Sequence, residues 1–128
     1  MKELPTYRAE IFCGLNPGYK TRDTERDADA YGDVHEICRN YCDEIGLGVT
    51  LSETMFIYTG GYEPGIIVGL INYPRFPKAN QYVQNQAITL ARILGETLGQ
   101  ERVSVVCSDK TIMLERGIDY AKEEEKTS

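Results

Sequence analysis

Two helical patterns set among five strand-like runs predict an α+β domain in the order β-α-β-β-α-β, with an added C-terminal strand. Three observations carry that expectation. Residues 7–15, YRAEIFCGL, alternate apolar and polar with the period of a strand. Two stretches, Tyr31 to Ile45 and Gln81 to Leu98, place apolar residues three and four apart, as an amphipathic helix does. Between them MFIYTGGYEPGIIVGLINYPRFP holds two β-branched and aromatic runs around a glycine turn, the mark of a hairpin.

Along the chain, Ala9, Ile11, Cys13 and Leu15 fall on one face of the first strand and Arg8, Glu10 and Phe12 on the other. Asn16-Pro17-Gly18 signals a turn, and KTRDTERDADA, charged and without apolar period, reads as a loop. The first helix stripe is Tyr31, Val34, Cys38, Tyr41, Cys42 and Ile45, with Asp33 as its expected cap and Gly46 as its end. LGVTLSETMFIYT is expected to be a strand interrupted near Ser52-Glu53, and Gly60-Gly61 with Pro64-Gly65 to supply the turn. The second helix carries Val83, Ala87, Leu90, Ala91, Leu94 and Leu98 and is expected to end at Gly99 in a left-handed conformation. RVSVVCS and TIMLE, joined at Asp109-Lys110, close the sheet. The expected domain is 1–116, with 117–128 an acidic tail that frays.

Two βαβ crossovers flanking a hairpin form the ferredoxin-like arrangement, an antiparallel sheet with both helices on one face. Its other face is left bare. GIIVGLIN is apolar at consecutive positions, so both sides of that strand need cover. Phe12, Tyr58, Val106 and alternate residues of GIIVGLIN are expected to line a patch unusual for a monomer, which predicts a homo-oligomer built on a two-fold axis.

Composition narrows the function. A formal charge of −6 argues against general binding to long nucleic acid, which needs clustered Lys and Arg. No apolar run approaches the about 18 residues of a membrane helix, and MKELPTYRAE has no apolar signal core, so a cytoplasmic location is expected. The four cysteines sit inside apolar patterns and read as reduced core residues. His35, Cys38 and Cys42 form HxxCxxxC, but the two cysteines belong to the packing stripe, so neither a metal nor another cofactor is expected. No GxSxG, HExxH, P-loop or GxGxxG is present. With no catalytic set of these kinds, a non-enzymatic role is expected.

Pro74-Arg75-Phe76-Pro77 is the most informative motif for binding. Two prolines stiffen the backbone around a guanidinium fork and an aromatic face, the groups that pair with phosphate and stack on a base. Arg75 and Phe76 are therefore the expected ligand-binding pair. Tyr62, Tyr19, Arg22, Lys78 and Lys110 are candidate neighbours across a subunit interface. The same residues also read as a plain strand-to-helix connection.

FIYTGGYEPGIIVGLINYPRFP, followed by a helix and LGQERVSVV, resembles a group of small ferredoxin-like proteins of phages and their bacterial hosts. Some phage proteins of this size act as sponges, holding the nucleotide signals of bacterial immune systems, cyclic ones included, without cleaving them. That resemblance implies an anti-defence sponge in the bacterial or phage-infected cytosol that sequesters a small anionic, nucleotide-derived ligand. Two alternatives stay open: a small dimeric ferredoxin-like enzyme with His35 or Tyr58 as proton donor, and an acidic module that inhibits a host protein.

Overall fold

The computed structural model describes residues 1–15 and 24–120, with side chains from residue 29 onward in the second stretch. Its elements are β1 (Arg8–Gly14), α1 (Thr24–Ile45), β2 (Thr50–Tyr58), β3 (Gly61–Ile71), α2 (Asn80–Thr97), β4 (Arg102–Cys107) and β5 (Thr111–Glu115). The sheet order is β2-β3-β1-β4-β5, and every neighbouring pair is antiparallel. This is the ferredoxin-like β-α-β-β-α-β sheet with an extra C-terminal strand.

The core follows from the periods. Ala9, Ile11 and Cys13 of β1, Ile66, Val68 and Leu70 of β3, and Val103 and Val105 of β4 point to the helix side and are buried. Val83, Ala87, Leu90, Ala91 and Leu94 of α2 meet them, as do Ala30, Val34, Cys38 and Tyr41 of α1. Each large aliphatic side chain so buried contributes about 1.5–3 kcal/mol. The Tyr41 hydroxyl donates to the side-chain carbonyl of Gln86, which ties the two helices. Cys13, Cys38 and Cys107 are buried, Cys42 is half-buried, and all four are free thiols.

The boundaries differ from expectation in three places. α1 begins at Thr24, so Asp33 lies within the helix instead of capping it. The added turns contain Glu25, Arg26 and two alanines, which favour helix, without an apolar stripe to reveal them. β2 runs unbroken through Ser52 and Glu53 because β3 pairs with it residue by residue, Ser52 against Ile67 and Glu53 against Ile66. The hairpin turn is Thr59-Gly60 alone, with Gly60 at φ +80°, while Pro64 and Gly65 lie inside β3. Pro64 has no amide hydrogen to give, but its carbonyl accepts from Leu15 N–H at 3.0 Å where β1 ends.

α2 ends as its sequence predicts. Gly99 has φ +66°, Gln100 N–H donates to Gly95 C=O at 2.9 Å and Gly99 N–H to Glu96 C=O at 3.3 Å, a Schellman closure. After β5 the chain folds back, with Asp119 N–H on Glu115 C=O and Tyr120 buried against Gly95. The outer face of the sheet, away from the helices, carries Phe12, Phe56, Tyr58, Ile67, Ile71, Val106 and Met113, interspersed with Ser, Thr, Arg8 and Glu10. Tyr58 is 58% exposed and Met113 52%. Among the described residues no helix is long and apolar enough to cross a membrane.

Candidate functional site

The residues predicted to bind ligand divide between opposite ends of β3. Arg75, Phe76 and Lys78 share the loop from β3 to α2. That loop is closed by Asn72, whose Nδ2 donates to the Lys78 carbonyl (2.6 Å) and whose Oδ1 accepts from Lys78 N–H (2.8 Å). Arg75 stacks on Phe76, its guanidinium carbon 5.2 Å from the ring centroid, and the Lys78 ammonium lies 5.5 Å from the ring of Tyr82. Phe76 is 66% exposed above a slot of about 100 Å³ lined by Leu47, Leu70, Tyr73 and Val83.

Lys110 lies at the same edge of the sheet, in the turn that the Tyr7–Asp109 hydrogen bond (3.0 Å) holds beside β1. Tyr62 lies at the other end of β3, nine residues from Ile71, a span of roughly 30 Å in an extended strand. Tyr19 and Arg22 fall outside the described residues. One chain therefore gathers Arg75, Phe76 and Lys78, places Lys110 along the same edge, and separates Tyr62 from all four. His35 and Tyr58 are likewise apart, one exposed on α1 and the other at the hairpin end. His35 borders a cleft of about 640 Å³ with Arg39, Cys42, Leu47 and Val49. Among the described residues no group of three His, Cys, Asp or Glu side chains could hold a metal ion.

A more enclosed polar cluster stands at the hairpin end, where β1 finishes. A Cβ on Gly14 would lie 2.7 Å from the Glu63 carboxyl carbon and 2.9 Å from Gln100 Oε1, so the bare glycine lets both side chains close over the strand. Gly65, the partner of Gly14 in the ladder, lies beneath the Phe56 ring; a Cβ there would meet Phe56 Cδ2 at 2.9 Å. The Phe56 ring is 6.5 Å from that of Phe12, tilted by 54°. The Tyr31 hydroxyl donates to Gly65 C=O at 3.5 Å, at the limit of a useful bond. The register places Glu63, Phe56, Gly14 and Phe12 on the outer face, so a carboxylate and two aromatic rings border one patch.

Beneath this patch are groups whose burial is costly. Gln100 is 7% exposed and its Nε2 has no hydrogen-bond partner; the Tyr120 hydroxyl, equally buried, has none either. A Cβ on Gly95 would lie 2.8 Å from that hydroxyl. Burial pushes the Tyr120 phenol up to about 12, with Cys13 and Glu101 adding to the effect. Burial first, then the Glu63 carboxylate and Cys38, push the Cys13 thiol up to about 12, so Cys13 is a protonated packing residue at neutral pH. Sequence reasoning missed Glu63 and Gln100. The available signal was glycine inside strand and helix patterns (Gly14, Gly65, Gly95), which marks a close approach.

No family model matches the sequence, nor does any curated protein. Two solved structures share the fold. One is a phage SAM lyase in the apo state, at TM-score 0.70 and 21% identity over 91% of this chain and 96% of that one. The other is a phage SAM lyase in complex with S-methyl-5'-thioadenosine, at TM-score 0.69 and 20% identity over 92% and 97%. The phage kinship implied by FIYTGGYEPGIIVGLINYPRFP agrees with these matches, but the sponge does not. Relatives in fold that are enzymes overturn the expectation of a non-catalytic protein, and with it cyclic-nucleotide sequestration and the anti-defence role. At this identity what the chain shares with both structures is their fold.

Proposed function

We propose that the chain is a lyase acting on a sulfonium nucleoside of the S-adenosylmethionine class, releasing the 5'-thioether nucleoside. The observation that carries this reading is a shared fold coextensive with both chains, 91% of one on 96% of the other, combined with a carboxylate and two aromatic rings at one edge of the sheet. The chemistry suits such an edge. As the bond from sulfur to the amino acid side chain breaks, its electron pair leaves with sulfur as a neutral thioether, and an oxygen of the substrate's own α-carboxylate supplies the pair for the new bond to carbon, closing a lactone. No strong acid or nucleophile is required of the protein. Charge concentrated on sulfur in the ground state is dispersed in the transition state, so an apolar setting such as Phe12 and Phe56 favours the reaction.

In this reading Glu63 holds the α-ammonium of the amino acid tail, away from sulfur, where a carboxylate would only stabilise the ground state. A second copy of the chain covers the outer face, and because Glu63 and Phe56 lie on that face, it also shields the site from water. Exposed Val106, Met113, Ile71 and Tyr58 support this pairing. The test is incubation of the purified protein with S-adenosylmethionine and quantification of S-methyl-5'-thioadenosine by mass spectrometry, alongside sedimentation across a dilution series. Turnover by a particle larger than one chain is expected. A monomer at all concentrations would remove the pairing, and absence of product would remove the lyase.

A further inference from the structure

We infer that Gln100 is the specificity determinant for the carboxylate end of the ligand, its buried side-chain N–H groups donating to the α-carboxylate of an amino acid tail whose α-ammonium pairs with Glu63. The inference rests on reading the Gly14 edge as the nucleoside site, and goes beyond it by assigning a residue to one functional group of the substrate.

Three observations carry it. Gln100 is buried, yet its Nε2 donor has no partner, an arrangement that costs stability unless something else accepts those hydrogens. The residue is held firmly: its backbone N–H closes α2 on Gly95 C=O at 2.9 Å, directly after Gly99 at φ +66°. The same amide stands over Gly14 beside the Glu63 carboxylate: a Cβ there would lie 2.9 Å from its Oε1 and 2.7 Å from the carboxyl carbon, and Nε2 is the other corner of that planar group. An amide with an unused donor, next to a carboxylate, matches the two charges of a zwitterion, since the carboxylate attracts the ammonium and the Nε2 hydrogens accommodate the acid. A ligand without that tail leaves the donor unsatisfied.

The experiment is calorimetric titration of the full chain with two probes: S-adenosylhomocysteine, which carries the tail but no sulfonium, and S-methyl-5'-thioadenosine, which lacks the tail. Wild type, Gln100→Leu and Gln100→Glu are compared. A buried hydrogen bond to a charged group predicts that wild type prefers the tailed probe by roughly 10-fold or more. Gln100→Leu should lose most of that preference while its affinity for the tailless probe stays within about 2-fold, and Gln100→Glu, of equal size but with an acceptor facing the acid, should lose it entirely. The unfolding midpoint of unliganded Gln100→Leu should equal or exceed that of wild type, because an unsatisfied polar group has been removed.

A preserved preference in Gln100→Leu, or equal loss for both probes, would overturn the inference. So would a fall in the unfolding midpoint, which would make the amide a structural partner of Glu63. If S-adenosylmethionine is not turned over but the tail preference still depends on Gln100, the lyase reading fails and this inference stands. If wild type binds neither probe, both fail.

Discussion

The two edges of the sheet spend their polar groups in opposite ways. At the β3–α2 edge the cations are exposed and already engaged: Arg75 lies on Phe76, Lys78 on Tyr82, and Asn72 ties the loop shut. At the hairpin edge Glu63 and Gln100 crowd over Gly14, and Gln100 and Tyr120 each keep a buried polar atom unpartnered. An exposed aromatic–cation stack costs almost nothing to maintain, because water solvates whatever the protein does not. A buried donor without an acceptor costs about 1–3 kcal/mol, and a fold retains it most readily where a ligand completes it. Conspicuous side chains on a stiff loop are therefore weaker evidence of a site than quiet ones closed over a glycine.

The sharpest way to break this contrast is Glu63→Gln. Removing one partner of a buried charge pair costs about 2–5 kcal/mol, so kcat/KM for S-adenosylmethionine should fall roughly 30- to 4000-fold, read by initial rates of thioether release. Gly14→Ala comes next, because its Cβ would lie within 3 Å of both Glu63 and Gln100 and push them off the strand. About a 10-fold loss of activity is expected, from the roughly 1–3 kcal/mol that overpacking costs, with the folded circular-dichroism spectrum retained. A Gly14→Ala protein as active as wild type would show that the close approach serves packing alone.

The alkaline limb of stability distinguishes the edges without any ligand. Cys13 keeps its proton in the folded state to about 12, against 9.0 for an ordinary thiol, chiefly through burial and then through the Glu63 carboxylate. Between those values the folded chain binds more protons than the unfolded one, so stability is complete below about pH 9 and declines as pH rises towards 12. Urea denaturation across that window should show the decline, ending at a lower pH and smaller in total in Glu63→Gln, where the carboxylate's share is gone. Arg75→Ala should leave the decline unchanged. The smallest effect is expected at the opposite edge, where Arg75→Ala and Phe76→Ala should each alter kcat/KM by less than about 3-fold, the range of exposed contacts. A larger loss there would return the site to the PRFP loop.

How much of this was legible in the sequence depends on what leaves a period. Alternation in YRAEIFCGL and GIIVGLIN and the stripe of α2 exposed the strands, the second helix and its Gly99 end, because burial on one face forces apolar residues into register. The first turns of α1 were invisible because TERDADA carries no apolar residue larger than alanine at helical spacing. Ser52 and Glu53 appeared to interrupt a strand whose ladder, supplied by β3, does not depend on their side chains. Glu63 and Gln100 were hidden for a related reason: one follows a glycine turn, the other a helix-terminating glycine, and both positions read as punctuation. Their meaning comes from Gly14, remote from both in the chain, and only the register of β1 with β3 and β4 brings the three together.

The most direct measurement is mass spectrometry of the purified chain after incubation with S-adenosylmethionine, with Glu63→Gln in parallel. Catalytic accumulation of S-methyl-5'-thioadenosine by wild type, at many turnovers per chain and greatly reduced in Glu63→Gln, is the expected result. Recovery of intact S-adenosylmethionine from both proteins, or equal turnover by both, would contradict the assignment of this edge as the active centre.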